Sequence, residues 1–420
     1  MHRFRLATAQ RFPALASRDY ILFLVGQFLS VIGTWMQNTT QPYLAYRISG
    51  RPFDLGLIGF ASTLPTLLLA LPAGVLVERW DKRKTVIFFQ AVMSLQAFGL
   101  AALTFTGHVQ IWHIGVLALI FGTASAVEIT ARQAMLIELA GREALPSAIA
   151  LQTTAFNVGR VIGPLAAAWL LTSTGTEGSV FMANGISFLF VIVGLIIART
   201  RYKVPRELEA SKSLGVEFRE GVAYIRTNAL VASIILMAAL VGFFGFPLIQ
   251  QIPALARDVL RTASDTEAIV AARTSQLYAA QGAGALVAAI LAAYMSASRN
   301  KGSMVALGQV AFILPLIVLG YVPNLNISFI LLMLIGWGTV TQLVAMNTLI
   351  QVVVPNGLRG RVFSVYLWAL QGVAPFGSLL IGWLAQNWGV PVAALLGGFI
   401  SLVTIGALHL ISPGVRHAQA

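Results

Sequence analysis

The sequence predicts an all-α membrane protein with twelve transmembrane helices arranged as two six-helix pseudo-symmetric bundles. Three observations carry this reading. The chain has 420 residues, of which 57% are hydrophobic and only 10% charged. A soluble chain of this length could not cover so much apolar surface with so few charges. The apolar residues fall into twelve runs, each near the roughly 20 residues that a spanning helix needs. The halves also repeat: a shift of 214 residues lays Thr130–Gly175 over Val344–Gly389 without a gap, with Trp169 on Trp383, Gly163 on Gly377 and Gly175 on Gly389.

The chain begins with a basic lead-in, Arg3, Arg5, Arg11 and Arg18, followed by Asp19. It does not read as a cleavable signal, because the next apolar run is too long and no small-residue cleavage site ends it. Spans follow at about 20–44, 55–78, 85–106, 111–135, 147–173 and 179–198, then at 229–256, 272–296, 302–321, 326–350, 360–386 and 391–411. The breaks between them carry turn residues, including Ser49-Gly50-Arg51-Pro52, Thr106-Gly107, Pro355-Asn356-Gly357 and Gly389-Val390-Pro391. Of the 28 Lys and Arg residues, 21 fall on the side of the amino terminus. Five fall opposite (Arg47, Arg51, Arg257, Arg261, Arg273), and Arg132 and Arg160 lie inside spans. By the positive-inside rule both termini are cytoplasmic. The same asymmetry accounts for the net charge of +13 without any nucleic acid.

Residues 200–228 separate six spans from six. This linker is mixed in charge, and Leu214, Phe218, Val222 and Ile225 recur at helical spacing. That pattern predicts an amphipathic helix at the cytoplasmic interface, with a plain solvated linker as the alternative. Domains are therefore expected at 1–199, 200–228 and 229–420.

The densest charge lies in the turn Gly74–Lys84, GVLVERWDKRK, where six of eleven residues are charged. The pattern Gly74-x-Leu76-x-Glu78-Arg79-x-Asp81-Lys82-Arg83-Lys84 resembles the signature between the second and third helices of the major facilitator superfamily. Three further stretches resemble its exporter branch, which holds enterobactin-type siderophore exporters and macrolide efflux proteins. They are Ser17-Arg18-Asp19-Tyr20 leading to Gly33-Thr34-Trp35-Met36-Gln37, then Ala131-Arg132-Gln133-Ala134-Met135, then Asn157-Val158-Gly159-Arg160-Val161-Ile162-Gly163-Pro164. The sequence departs from the superfamily pattern in having Glu78 for the usual aspartate and Asp81 for a glycine. The equivalent turn of the second half, Ser298-Arg299-Asn300-Lys301, has no acid. The resemblance implies the major facilitator fold, and a secondary transporter exporting a small amphipathic solute such as a siderophore or drug by proton antiport. An importer, a lysophospholipid flippase and a non-transporting sensor remain as alternatives.

The resemblance also implies that Glu78 faces the start of the eleventh span near Gly360, where a helix N-terminus favours a carboxylate. Gly74, Glu78, Arg79, Asp81 and Arg83 then form a candidate cytoplasmic gate; the alternative is a turn that only anchors topology. Glu128 and Arg132 are four apart, so they share a helix face. Glu128 is the one carboxylate placed well inside a span, and Arg160 lies halfway along the fifth. A charge at that depth costs about 2.5–3.5 kcal/mol on insertion scales and usually faces a cavity or a partner. Glu128, Arg132 and Arg160 are the candidate proton-coupling residues, since burial raises a carboxyl pKa and a nearby arginine lowers it. A structural pair of Glu128 with Arg132 or Arg160 is the other reading.

Polar and aromatic residues within spans suggest a cavity lining: Trp35, Gln37, Asn38, Gln41, Asn157, Gln250, Gln281, Gln342, Asn347, Trp368 and Gln371. Asn157 and Gln371 coincide under the 214-residue shift. Gly159-x-x-x-Gly163-Pro164 predicts close helix packing and a bend. There are no cysteines, no metal-spaced histidines, no phosphate loop and no paired intramembrane carboxylates. No cofactor or enzymatic activity is expected. The expected partners are a small-molecule substrate and the bilayer, in a monomer of the inner membrane.

Overall fold

The structure is a computed structural model that describes residues 12–198, 214–294 and 300–411. The three basic residues Arg3, Arg5 and Arg11, the linker before Leu214, the Ser298-Arg299 pair and the tail from 412 lie outside these. Among the described residues all regular structure is helical. The spans are α1 Arg18–Ser49, α2 Pro52–Arg79, α3 Lys82–Phe105, α4 Ile111–Ala140, α5 Leu145–Thr174 and α6 Glu177–Ile197. A short helix, α7, runs Leu214–Thr227. The second set is α8 Ala229–Val259, α9 Glu267–Tyr294, α10 Lys301–Leu319 and α11 Leu325–Val353, then Arg359–Ile411.

That last segment is 53 residues long, more than twice what one crossing needs. It breaks at Gly389, where φ is 83° and ψ 157°. It is therefore two helices, α12 (359–388) and α13 (390–411), which makes twelve spans. In apolar surroundings each backbone N–H and C=O must be satisfied within the segment, so long apolar runs become helices. Helix ends lie within five residues of the apolar-run boundaries, because polar end residues extend the ladder. Asn228 and Asn324 cap α8 and α11 by accepting from the backbone N–H groups of Val231 at 3.1 Å and Ile327 at 3.2 Å.

The repeat extends over four of the six helices of each set within a residue or two. Adding 214 to Leu145 and Thr174 gives 359 and 388, the bounds of α12. The same shift carries α4 onto α11, α6 onto α13 and α2 onto α9 within a residue or two. Gly175, which ends α5 with φ of 69°, lands on Gly389 with φ of 83°. Both turns use a left-handed backbone that side chains other than glycine rarely adopt.

Packing divides the chain into two compact units, Met1–Gln41 with Leu68–Glu209 and Pro42–Leu67 with Ala210–Ala420. In the first, Tyr20, Phe23, Val86, Met135, Leu139 and Val191 form a buried core. The Tyr20 hydroxyl donates to the Ala148 carbonyl at 2.9 Å. In the second, α9 and α11 cross at reciprocal glycines. A β-carbon on Gly284 would lie 1.8 Å from the Met333 carbonyl oxygen, and one on Gly336 would lie 1.8 Å from that of Gln281. Small residues let backbones approach where lipid offers no hydrophobic drive for association.

The amphipathic helix expected in the linker is α7, and it packs on protein. Phe218 meets the edge of Trp368 with ring centroids 6.0 Å apart. Gly221 faces the Arg361 carbonyl, and Glu220 pairs with Arg361. Phe218, Glu220 and Gly221 thus seat α7 against the first turns of α12.

Candidate transport site

In the first unit, α4 carries Glu128 into the interior, where it is 3% exposed. The four-residue spacing brings Arg132 Nε to 3.1 Å from Glu128 Oε1. Gln90 of α3 donates to the same oxygen at 2.9 Å. Arg132 also donates to Gln152 Oε1 of α5 at 3.4 Å. One carboxylate therefore ties α3, α4 and, through Arg132, α5. A buried charge tolerates this setting only when its lone pairs are filled. Of the two pairings expected for Glu128, the structure forms the one with Arg132.

Arg160 stands apart from that pair. Its guanidinium carbon lies 5.4 Å from the Trp35 ring centroid. Trp35 in turn meets Phe156 edge-on, with ring centroids 5.6 Å apart. The sequence motif explains this placement. A β-carbon on Gly159 would meet Val31 at 2.6 Å, and one on Gly163 would meet Trp35 at 2.5 Å. Absent side chains at these two positions let α5 lie directly on α1, and the intervening Arg160 reaches over the indole. Pro164, buried one turn on, has no N–H to offer the carbonyl of Arg160.

The expected cavity residues separate into two groups. Gln37 and Gln41 lie within helix packing. Gln37 donates to Gln41 at 3.0 Å and Gln96 at 3.2 Å, and accepts from Asn184 at 2.8 Å. This amide network joins α1, α3 and α6 and leaves Gln37 only 2% exposed. Asn38, the next residue, is exposed, and Asn157 is half-buried and donates to its own helix at Thr153. Gln96 and Asn184 carried no mark in the sequence beyond being amides within spans.

The charged turn is consumed largely by its own bundle. Asp81 caps α3, accepting from the Lys84 N–H at 2.9 Å. Lys82 pairs with Glu138 at 2.8 Å, and Arg83 donates to the Ile196 carbonyl at the end of α6 at 2.9 Å. Glu78 and Arg79 are exposed. Among the described residues no hydrogen bond or ion pair reaches Glu78, and nothing lies within 4 Å of where a Gly74 β-carbon would be.

In the second unit the expected residues fall on irregular helix. α8 contains a π-turn at Val241–Gly245, a break at Gln250 and a second π-turn at Leu255–Val259. α12 has a π-turn at Trp368–Gly372 that carries Trp368 and Gln371, both exposed. Such turns re-aim side chains and recur at functional positions. Gln250 accepts from Ser378 at 3.1 Å and abuts Gly59. Gln281 and Gln342 are buried in the α9–α11 region. Asn347 accepts from Gln351 one turn on.

This unit also holds a polar cluster that sequence reading missed. The Tyr46 hydroxyl donates to Asp258 at 2.5 Å. The Tyr43 hydroxyl lies 2.9 Å from the Glu267 carbonyl and 3.1 Å from its carboxylate. Arg257 and Arg261 close on Glu267 at 3.2 and 3.1 Å. Two tyrosines one turn apart, near a segment with acids, were the signal available. In the α8–α9 loop, the Arg273 guanidinium and the Thr262 N–H hold the Asp265 carboxyl at about 2, well below the usual carboxylate range.

Twelve helices in two repeated sets, with a charged pair buried in one set, define a membrane transporter of the major facilitator fold. The chain belongs to the transmembrane secretion effector family, whose family model matches residues 10–419. It is 25% identical over 390 residues to the enterobactin exporter EntS of Shigella boydii serotype 18, covering 92% of this chain and 90% of that protein. The same figures hold for EntS of Escherichia coli O81. Among solved structures, the nucleoside transporter NupG superposes with a TM-score of 0.74 at 12% identity, covering 94% of this chain and 99% of that one. A D-xylose-proton symporter gives 0.69 at 12% identity, covering 93% and 96%. At these identities the structures speak for the fold alone.

Proposed function

We propose that the protein exports a small amphipathic organic solute, of the siderophore or drug kind, in exchange for protons across the bacterial inner membrane. Both termini lie on the cytoplasmic side, and the working unit is a monomer. The observation that carries this reading is the buried Glu128, held by Arg132 and Gln90 inside a span. A carboxylate at that depth is costly unless it works or is compensated. Protonation removes its charge and frees Arg132, so proton binding and helix packing are coupled through one side chain. The enterobactin exporters among the relatives support an exported organic solute.

Glu78 serves this cycle as a latch on the cytoplasmic face, engaged in one conformation and free in another. Inverted membrane vesicles test the reading. Protonophore-sensitive solute uptake should occur with the native chain and vanish in Glu128→Gln with solute binding retained. Retained uptake in that variant sinks Glu128 as the carrier.

A further inference from the structure

Arg160 is a cation within a span that, among the described residues, meets an indole face but no carboxylate. Among the described residues it makes no hydrogen bond or ion pair, and its Nε is buried. The other two charges deep in spans, Glu128 and Arg132, satisfy each other, so among the described residues of the first unit Arg160 is the positive charge at depth without an anionic partner. An arginine so placed faces a cavity or an anionic partner, since lipid tails offer neither.

The surface of α5 says which. At roughly 100° per residue, Thr153, Phe156 and Asn157 share the Arg160 face, and all but Asn157 among these three are exposed. Ile162, Leu165 and Trp169 project from the opposite side and are 40%, 49% and 68% exposed. One helix thus presents two open faces: an apolar stripe suited to lipid tails, and a mixed face where Arg160 and Asn157 lie beside Thr153 and the exposed Phe156 and Ile149. Beyond Arg160, the residues continuing this face, Pro164, Ala167, Ala168 and Leu171, are buried, so the open mixed face ends at the arginine.

We infer that Arg160, with Trp35 and Phe156, is a recognition subsite for a planar aromatic anion, an aryl carboxylate or phenolate, on the transported solute. Indole and phenyl rings at a T-shaped angle leave faces and edges against which a third ring packs. The guanidinium, already 5.4 Å over the indole centroid, carries planar donors in the fork geometry that matches a carboxylate. The 214-residue shift carries Arg160 to Ala374, so only the first repeat has this subsite, and the anion is read from one side. This inference rests on the export reading for its solute but not on the proton coupling.

The test uses the full-length protein in nanodiscs of zwitterionic lipid, with 2-hydroxybenzoate as probe and neutral 2-hydroxybenzamide as control, read by calorimetry. The native chain should bind the benzoate more tightly than the amide. Arg160→Gln should weaken benzoate binding roughly ten- to hundredfold, the loss of a charge-assisted contact, and leave the amide within about twofold. Trp35→Leu should weaken both. Arg160→Lys keeps the charge and guards against misfolding of the Gln variant; it should bind benzoate between the two. Equal benzoate affinity in native and Arg160→Gln protein overturns the inference. So does loss, in Arg160→Gln, only of stabilisation by added phosphatidylglycerol, which would make the arginine a lipid-phosphate contact. Failure of the subsite leaves proton-driven uptake intact, whereas failure of the export reading leaves benzoate binding intact without uptake.

Discussion

Replacing Glu128 by Gln removes one partner of a buried pair and leaves Arg132 behind. Breaking a fully buried pair costs about 3–5 kcal/mol, mostly for the stranded charge. Here Arg132 is 17% exposed at the side chain and keeps Gln152 as an acceptor. Exposed pairs are worth about 0–1 kcal/mol, so the single variant should lose an intermediate amount, about 1–3 kcal/mol. Adding Arg132→Gln removes the stranded cation. The double variant should recover at least half of the lost stability in chemical denaturation in mixed micelles, as contacting residues do in a double-mutant cycle. Stability and transport then part company. A structural pair predicts that the double variant regains uptake along with stability. A proton carrier predicts regained stability and no proton-driven uptake. Additive stability losses would refute the pairing, and restored uptake would refute the carrier.

Three further outcomes follow from other parts of the fold. Gly336→Ala places a β-carbon 1.8 Å from the Gln281 carbonyl and should cost about 1–3 kcal/mol, read as lower thermal stability, whereas Gly99→Ala, with open space around it, should be neutral. The Asp265 carboxyl, held near 2 against about 3.9 when unfolded, contributes its stabilisation fully above about pH 4 and loses it as pH falls toward 2. Pepsin cleavage of the α8–α9 loop should therefore rise between pH 4 and 2, with Arg273→Gln cut faster throughout; cleavage independent of both would contradict a stabilising Arg273–Asp265 pair. Glu78→Gln should leave stability unchanged, since among the described residues no group pairs with it, yet increase cytoplasmic labelling of single cysteines near the turn during turnover; unchanged labelling would count against the latch.

The span pattern and the repeat were legible because burial in lipid imposes length and polarity on each segment separately. The Glu128–Arg132 contact was legible because four residues of helix fix it. Gln37 shows where sequence reading stops. An amide within a span declares that it needs a partner, but not whether that partner is Gln96, Asn184 or a solute. The azimuth of one helix against two others decides this. The Tyr46–Asp258 contact joins residues 212 apart, so the two tyrosines one turn apart could not name their partner. The π-turn under Trp368 and Gln371 likewise depends on packing, since its residues WALQG carry no helix breaker before the glycine. Arg160 was found as a charge in a span, but its freedom from Glu128 and its seat on Trp35 required the α1–α5 crossing that Gly159 and Gly163 permit.

The central claim is exchange of an organic solute for protons. Purified native protein in liposomes, with a pH-sensitive dye inside and a solute gradient imposed across the bilayer, tests it most directly. The account predicts proton movement opposite to the solute, abolished in Glu128→Gln. Solute movement with no accompanying change in internal pH would contradict it.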